Sequence, residues 1–211
     1  MSHPLLEQVV RGEAPPLVPL TVDQYEGFTA SGLIPEGSPI ELIDGFLVYK
    51  DRADSRSDNP MNQGPDHSLV VEDLAELIRD QVKPAGLLAR CQLPIRIAPR
   101  HAPEPDVSIV AGPARQRGGR LPEPADVLAV FEVAHSSRNF DRSTKQRVYA
   151  DAGIPVFVIV DLIAEAIEVY TEPLPGTGTY DKCLPHPRGT VAAVDLRGGV
   201  RIELEVDAIL P

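Results

Sequence analysis

Tryptophan is absent from this 211-residue chain, cysteine and methionine occur twice each, and aromatic residues make up only 5%. Two cysteines, Cys91 and Cys183, cannot build a disulfide framework, and they lack the C-x-x-C or Cys/His spacing of a zinc site. No run approaches the ~18 uninterrupted apolar residues of a membrane helix. The opening MSHPLLEQVVRGEAPP lacks a basic region and a long apolar stretch, so no signal peptide is expected. Basic residues are also scarce: 20 Lys and Arg face 31 Asp and Glu, for a formal charge of -11. That excludes a protein that coats polyanions through a basic surface, but not an enzyme that meets DNA through one local patch. A soluble protein of a reducing, cytoplasmic compartment is expected, with no membrane partner.

Hydrophobic residues at 43% and a length of 211 suffice for one buried core. Pro4, Pro15, Pro16 and Pro19 mark residues 1–18 as an arm, leaving 19–211 as the domain. Thr21-Val22-Asp23-Gln24 reads as a capping box opening a helix to about Ala30. Ile40–Tyr49 is two apolar strands around Asp44-Gly45, a strong hairpin signal. Residues 51–65 are polar and aperiodic, hence a loop. A helix follows from Asp66, its N-cap, to about Val82, with His67 facing inward, one turn before Val70 and Val71.

Strands are expected at Leu87–Ile97, Asp106–Val110, Val127–Ala134, Val156–Val160, Ala166–Tyr170 and Val200–Val206. Pro173–Thr179 and Pro185–Gly189 read as loops. Asp141 to Ala152 reads as a helix, Asp141 standing at its N-cap or in its first turn. The pattern is α/β, a mixed β-sheet flanked by helices.

Glu132 is the anomaly, a carboxylate inside Val127-Leu128-Ala129-Val130-Phe131-Glu132-Val133-Ala134. Such burial is expensive unless the acid is paired, protonated or metal-bound. Asp106 opens the preceding strand, and if the two strands adjoin, the acids converge at one end of the sheet. Close carboxylates persist by sharing a proton or by holding a hard cation, for which magnesium is suited. Asp106 alone reads equally as a turn cap after Pro105. Lys145 shares a helix face with Asp141 and Tyr149. It is either an ammonium that positions a nucleophile or half of an exposed Asp141–Lys145 pair, and its replacement by methionine should then change folding little.

Glu41-Leu42-Ile43-Asp44-Gly45, Pro103-Glu104-Pro105-Asp106-Val107, Phe131-Glu132-Val133-Ala134 and Asp141-x-x-x-Lys145-x-x-x-Tyr149-Ala150-x-Ala152-Gly153-Ile154-Pro155 occur in that order. Together with Val156–Asp161 this resembles the Uma2 family (DUF820) of restriction endonucleases, within the PD-(D/E)xK nuclease superfamily. The likeness runs from about Leu20 to Tyr170. It implies a restriction-endonuclease-like fold and cleavage of DNA phosphodiesters with Mg²⁺ or Mn²⁺. It further implies that Asp106, Glu132 and the carbonyl of Val133 hold the metal, with Glu41 nearby as a further catalytic acid. Lys145 would replace the lysine that most members of the superfamily carry where Ala134 stands.

Around these, His67 matches a histidine frequent in relatives, Gln92 lies where water could be oriented, and Glu104 sits two residues from Asp106 on the same strand face. Asp141 and Tyr149 complete the neighbours of the ligands. His135 departs from the family pattern and either hydrogen-bonds a metal ligand or caps its loop. Arg96, Arg100 and His101, and then Arg115, Arg117 and Arg120, are candidates for a basic rim. DNA is the implied partner, and a second copy of the chain in a homodimer is a further expectation. Two other readings stand beside the nuclease: a non-catalytic nucleic-acid-binding or protein-interaction module on the same fold, and a hydrolase of small phosphate esters.

Overall fold

The computed structural model describes residues 8–35, 37–50, 65–135 and 138–211. The expected 51–65 loop falls almost wholly outside them. Residues 8–18 form no strand and are mostly exposed, Val10 and Val18 by more than four-fifths.

A six-stranded mixed sheet carries the fold, in spatial order β3 (Leu87–Cys91), β4 (Val107–Ala111), β5 (Val127–Ala134), β6 (Val156–Asp161), β7 (Ala166–Leu174) and β8 (Thr179–Pro187). All neighbours are antiparallel except β5 and β6, which run parallel. Every residue of β5 and β6 is buried, as near-continuous apolar runs require of strands covered on both faces.

Alternation divides the core. Phe131 and Val133 of β5, with Val156, Val158 and Val160 of β6, pack beneath helix α2 (Pro65–Val82). The same layer includes the hairpin β9 (Val191–Leu196) and β10 (Val200–Glu205) and the short helix α4 (Val206–Ile209). Val130, Ala134, Phe157 and Ile159 pack on the other face, against Val148, Tyr149 and Ile154. Glu132 belongs to this second face.

The helix there, α3, has three segments: Arg138–Phe140, a wider π-helical turn Asp141–Lys145, and Gln146–Asp151. It therefore starts before Asp141, which is buried in the π turn instead of capping the N-terminus. Helix α2 likewise begins at Pro65, so Asp66 lies in its first turn.

Helix α1 (Val22–Ala30) opens on the expected capping box: Gln24 donates its amide to Thr21 Oγ1 and accepts from the Thr21 amide through Oε1. The hairpin β1 (Ile40–Ile43) and β2 (Phe46–Tyr49) turns at Asp44-Gly45, both left-handed with φ of 53° and 81°. It docks through the Ala102 amide on the Leu42 carbonyl (2.8 Å).

Three strand expectations need correction. β3 stops at Cys91 because Gln92 adopts φ 48°, and 92–106 runs irregularly toward the hairpin. Pro173 and Pro185 lie in strands, not loops; β8 is an edge strand, where a missing amide costs least. β9 was not among the expected strands, although Gly189, with φ 79°, turns the chain just before it and Gly198-Gly199 closes its hairpin with β10.

Gly45 is the glycine the fold most depends on. A Cβ there would stand 2.4 Å from Pro19 Cβ and 2.8 Å from the Leu20 carbonyl oxygen. Gly45→Ala should therefore lower stability by about 1–3 kcal/mol, combining left-handed strain with the clash. Urea denaturation checks it; an unchanged midpoint would contradict the tight packing of this turn.

Candidate active site

The sequence candidates gather at one end of the sheet. Asp106 directly precedes β4, and the pairing Val107↔Phe131 brings it alongside Glu132 on β5. Glu41 comes from β1, and Asp141, Lys145 and Tyr149 come from α3. Glu41, Asp106, Glu132, Asp141 and Lys145 are all buried. Together with Tyr49, Lys50 and Phe140 they line a cavity of about 20 Å³, room for about one water or ion.

Lys145 sits at the centre. Its Nζ lies 3.0 and 3.1 Å from the two oxygens of Glu132, 3.7 Å from Glu41 Oε1 and 4.0 Å from Asp141 Oδ1. The exposed Asp141–Lys145 pair is thus overturned: both residues are buried, and the ammonium belongs to Glu132. Tyr149 donates its hydroxyl to Glu132 Oε1 at 2.7 Å. The Glu104 amide donates to Glu41 Oε2 at 3.0 Å, fixing the hairpin acid to the 92–106 segment.

Asp106 is held differently. The Val133 amide donates to its Oδ2 at 2.8 Å, His67 Nε2 lies 3.5 Å from the same oxygen, and Gln92 Nε2 approaches Oδ1 at 3.5 Å. The contact of Val133 at the site is therefore through its N–H. His67 is buried, as its inward position required. His135, by contrast, is exposed at the bend after β5 and does not line the cavity.

Burial would raise the Asp106 carboxyl, but the hydrogen bond and charge of His67, the charge of Lys145 and the Val133 amide together hold it below its ordinary value. Glu132 moves the opposite way. Burial lifts it well above the usual range, Lys145 offsets only part of this, and the charges of Asp106, Asp141 and Glu41 add to the rise. Burial would lower Lys145, yet Glu132, Glu41, Asp141 and Asp106 outweigh it and keep the ammonium protonated well beyond its normal range. Burial and the adjacent Glu132 also raise Tyr149, so its hydroxyl remains a donor.

Two groups escaped sequence reasoning. Lys50 Nζ binds Glu104 Oε2 at 3.0 Å and forms part of the cavity wall. The hairpin register pairs Glu41 with Val48, which places Lys50 just beyond the acid, so the Asp44-Gly45 turn was the available signal. Phe140 lay hidden because α3 was expected to begin after it.

Of the six candidates for a basic rim, Arg100 and Arg115 are exposed and the other four are engaged within the fold. Arg96 binds Asp23 (2.5 Å) and Glu26 (2.7 Å) on α1. Arg117 is buried and donates to the Ala111 and Gly112 carbonyls, and Arg120 pairs with Asp126. His101 accepts the Asp44 amide on Nδ1. These residues fasten loops.

Among the described residues, no three His, Cys, Asp or Glu side chains stand together as a ready metal cage. The donors around the cavity are hard carboxylate oxygens, which suit a magnesium-like ion in kind. Four buried carboxyl groups there, Glu132 among them pushed toward protonation, face the buried Lys145 and the Lys50 of the wall, so acids outnumber bases and a cation would be accommodated.

This geometry accompanies a clear relationship. The model of the Uma2 family, described as a putative restriction endonuclease, matches residues 24–205. The chain belongs to the Uma2 family. The crystal structure of a putative nuclease belonging to DUF820 from Anabaena variabilis ATCC 29413 is similar, with a TM-score of 0.61 at 18% identity. The similarity covers 90% of this chain and 97% of that one, and it establishes the shared restriction-endonuclease-like fold. No curated protein matches the chain. Among the described residues no helix is long and apolar enough to cross a membrane.

The buried ammonium overturns the expectation that Lys145→Met is neutral for folding. Removing one partner from a buried pair costs about 3–5 kcal/mol. The loss should be largest near pH 8 and smaller near pH 5. Without Lys145, Glu132 rises further above its unfolded value of 4.5. The folded variant then binds the extra proton, and its stability falls as pH rises from there. Chemical denaturation of both proteins at the two pH values measures this; a pH-independent difference would show that Glu132 does not respond to Lys145.

Proposed function

We propose that this protein is a metal-dependent endonuclease that hydrolyses DNA phosphodiester bonds. The observation that carries the reading is the cavity where Glu41, Asp106, Glu132 and Asp141 surround a single buried ammonium. Membership of a family described as putative restriction endonucleases supports a nucleic-acid substrate.

Asp106 and Glu132 would hold Mg²⁺ or Mn²⁺, with the Val133 carbonyl as a further oxygen and Glu41 beside them. The ion would supply polarisation of the scissile phosphate and a bound water of lowered pKa. The chain's own groups do the rest. The Val133 amide and His67 keep Asp106 ionised and oriented. Tyr149 keeps one oxygen of Glu132 in place. Lys145 offers a preorganised positive charge for the phosphate oxygens once it leaves Glu132, and Lys50 supplies a second ammonium on the cavity wall. Gln92 and Glu104 position Asp106, Glu41 and Lys50 through the contacts already described. His135, exposed beside β5, is assigned to its loop.

A cytoplasmic setting suits the two free cysteines, of which Cys183 is exposed. Cutting both strands of a duplex would take two such sites and hence a homodimer, which light scattering with DNA would report.

One observation favours a second reading, a non-catalytic nucleic-acid-binding module: Lys145 occupies Glu132, and among the described residues no three-residue metal cage is assembled. Metal and substrate titrations separate the two. For an enzyme, Mg²⁺ or Mn²⁺ should raise the melting temperature, because the ion binds only the folded acids. Asp106→Asn combined with Glu132→Gln should abolish that shift. Plasmid nicking should require the metal and fall by on the order of 10²-fold or more in Lys145→Met, assayed where that variant remains folded. Identical thermal responses in wild type and the double variant, with no nicking, would give the binding module precedence.

A further inference from the structure

A groove of about 590 Å³ opens beside the catalytic cavity, between α1 and the turn at 92–94. Its size is that of a ligand site, with mostly apolar walls and a few convergent polar groups. Tyr25 forms the floor, its ring buried and its hydroxyl engaged on the Ile40 carbonyl at 2.9 Å. Ile34 and Leu93 flank it, Leu93 nearly half exposed. Among the described residues no lysine or arginine lines the groove; Glu26 and Glu104 do, and each is already paired, Glu26 with Arg96 at 2.7 Å and Glu104 with Lys50 at 3.0 Å. The wall thus offers no unpaired cation to hold a phosphate. The occupant must be neutral, flat enough for the apolar walls, and a hydrogen-bond donor.

The acceptors face the active-site end. Lys50 takes Glu104 Oε2 at 3.0 Å, and the carboxylate has lone pairs for a further donor. Gln92 turns toward Asp106 through Nε2, and its Oε1 is an acceptor. Gln92 holds this place in a left-handed conformation, φ 48°. Glu104 also forms the partition between groove and cavity: its amide binds Glu41, and Lys50 on its carboxylate lines the cavity.

We propose that the groove receives a nucleobase of the strand being cut, unstacked from its neighbours while its phosphate lies at the mouth of the catalytic cavity. The inference rests on the nuclease reading and adds to it a recognition site. A base presents a planar apolar face to Leu93 and Ile34, and the exocyclic amino group of adenine, cytosine or guanine would donate to Glu104 Oε1 and Gln92 Oε1. Enzymes that extrude a base read it in this manner, by its edge and by contact with its faces. The neutral base suits a wall whose carboxylates are already paired, and Lys50 and Lys145 remain on the phosphate side of the partition.

The test uses metal-free protein, so that binding is read without cleavage. Oligonucleotides, single-stranded and duplex, carry 2-aminopurine in place of adenine at successive positions. Binding is followed separately by the anisotropy of an end label. The expected result is a several-fold rise of 2-aminopurine emission at one position on binding, reporting loss of stacking. Ala30→Trp, at the exposed end of α1, fills the groove away from the catalytic acids. It should abolish the emission rise and weaken binding by about tenfold, the scale of one lost base contact. Its melting curve should match wild type. Anisotropy that reports binding while emission stays flat at every position overturns the groove assignment and leaves the nuclease reading standing. An emission rise that survives Ala30→Trp also overturns it, because the unstacked base then lies elsewhere. Absence of binding to every oligonucleotide also overturns the groove assignment, while the nuclease reading is decided separately by metal-dependent nicking.

Discussion

The cost of holding the Glu132 carboxylate inside a doubly covered strand organises this molecule. In that position the acid cannot be hydrated, and an isolated buried charge is too expensive to keep. Lys145 and Tyr149 compensate from one helix, and they must be delivered to one side chain from positions four residues apart. In a regular α-helix each step of four residues overshoots a full turn by about 40°. Across the wider π turn Asp141–Lys145, four residues fall short of a turn, so the drift from Asp141 to Tyr149 is largely cancelled. All three side chains thus reach the same cavity. The ammonium also approaches Glu41, which ties the β1–β2 hairpin to α3 and β5 at a single point.

That one ammonium does not balance its surroundings. Elsewhere the chain answers its acids with arginines: Arg96 with Asp23 and Glu26, Arg120 with Asp126, Arg142 with Glu168 and Asp161. Around the cavity it leaves carboxylates in excess and exclusively oxygen donors. The -11 charge of the whole chain is therefore a poor guide to the site, because the basic residues are spent fastening loops and the local cations are two lysines. In a protein that meets DNA, such placement confines attraction for phosphate to the cavity.

The features legible in the sequence were those set by local chemistry. Asp44-Gly45 needs two left-handed residues, Thr21 and Gln24 cap each other within one turn, and eight apolar residues interrupted by Glu132 announce both a central strand and its exception. What escaped was set by tertiary context. Proline usually ends a strand, yet Pro185 and Pro187 sit in β8 because the sheet edge asks nothing of their missing amides. Arginine clusters read as a rim because their partners, on α1 or at the ends of β4 and β5, are distant or unremarkable in sequence. Lys50 became visible only once the hairpin was folded against the 92–106 segment. The helix start was misplaced because an acid before a helical pattern usually caps it, whereas Asp141 was needed inside.

Asp106 and Glu132 stand side by side, yet their surroundings drive them apart. Asp106 accepts a backbone amide and lies 3.5 Å from a histidine, groups that belong to the fold and hold its carboxyl low. Glu132 rests on a mobile kind of donor, a lysine stem that can extend elsewhere, and is otherwise pushed toward protonation. Two acids separated in this way take different tasks. The first is preorganised to meet a cation at any neutral pH. The second becomes available only when something else supplies the positive charge that Lys145 now provides. If Asp106 and Glu132 held a divalent ion, its charge would stand in for that of Lys145 on Glu132, and the lysine stem could then extend toward a phosphate. The Lys145–Glu132 bond is therefore compatible with the proposed enzyme: the contact that stabilises the fold also keeps an ammonium beside the acids.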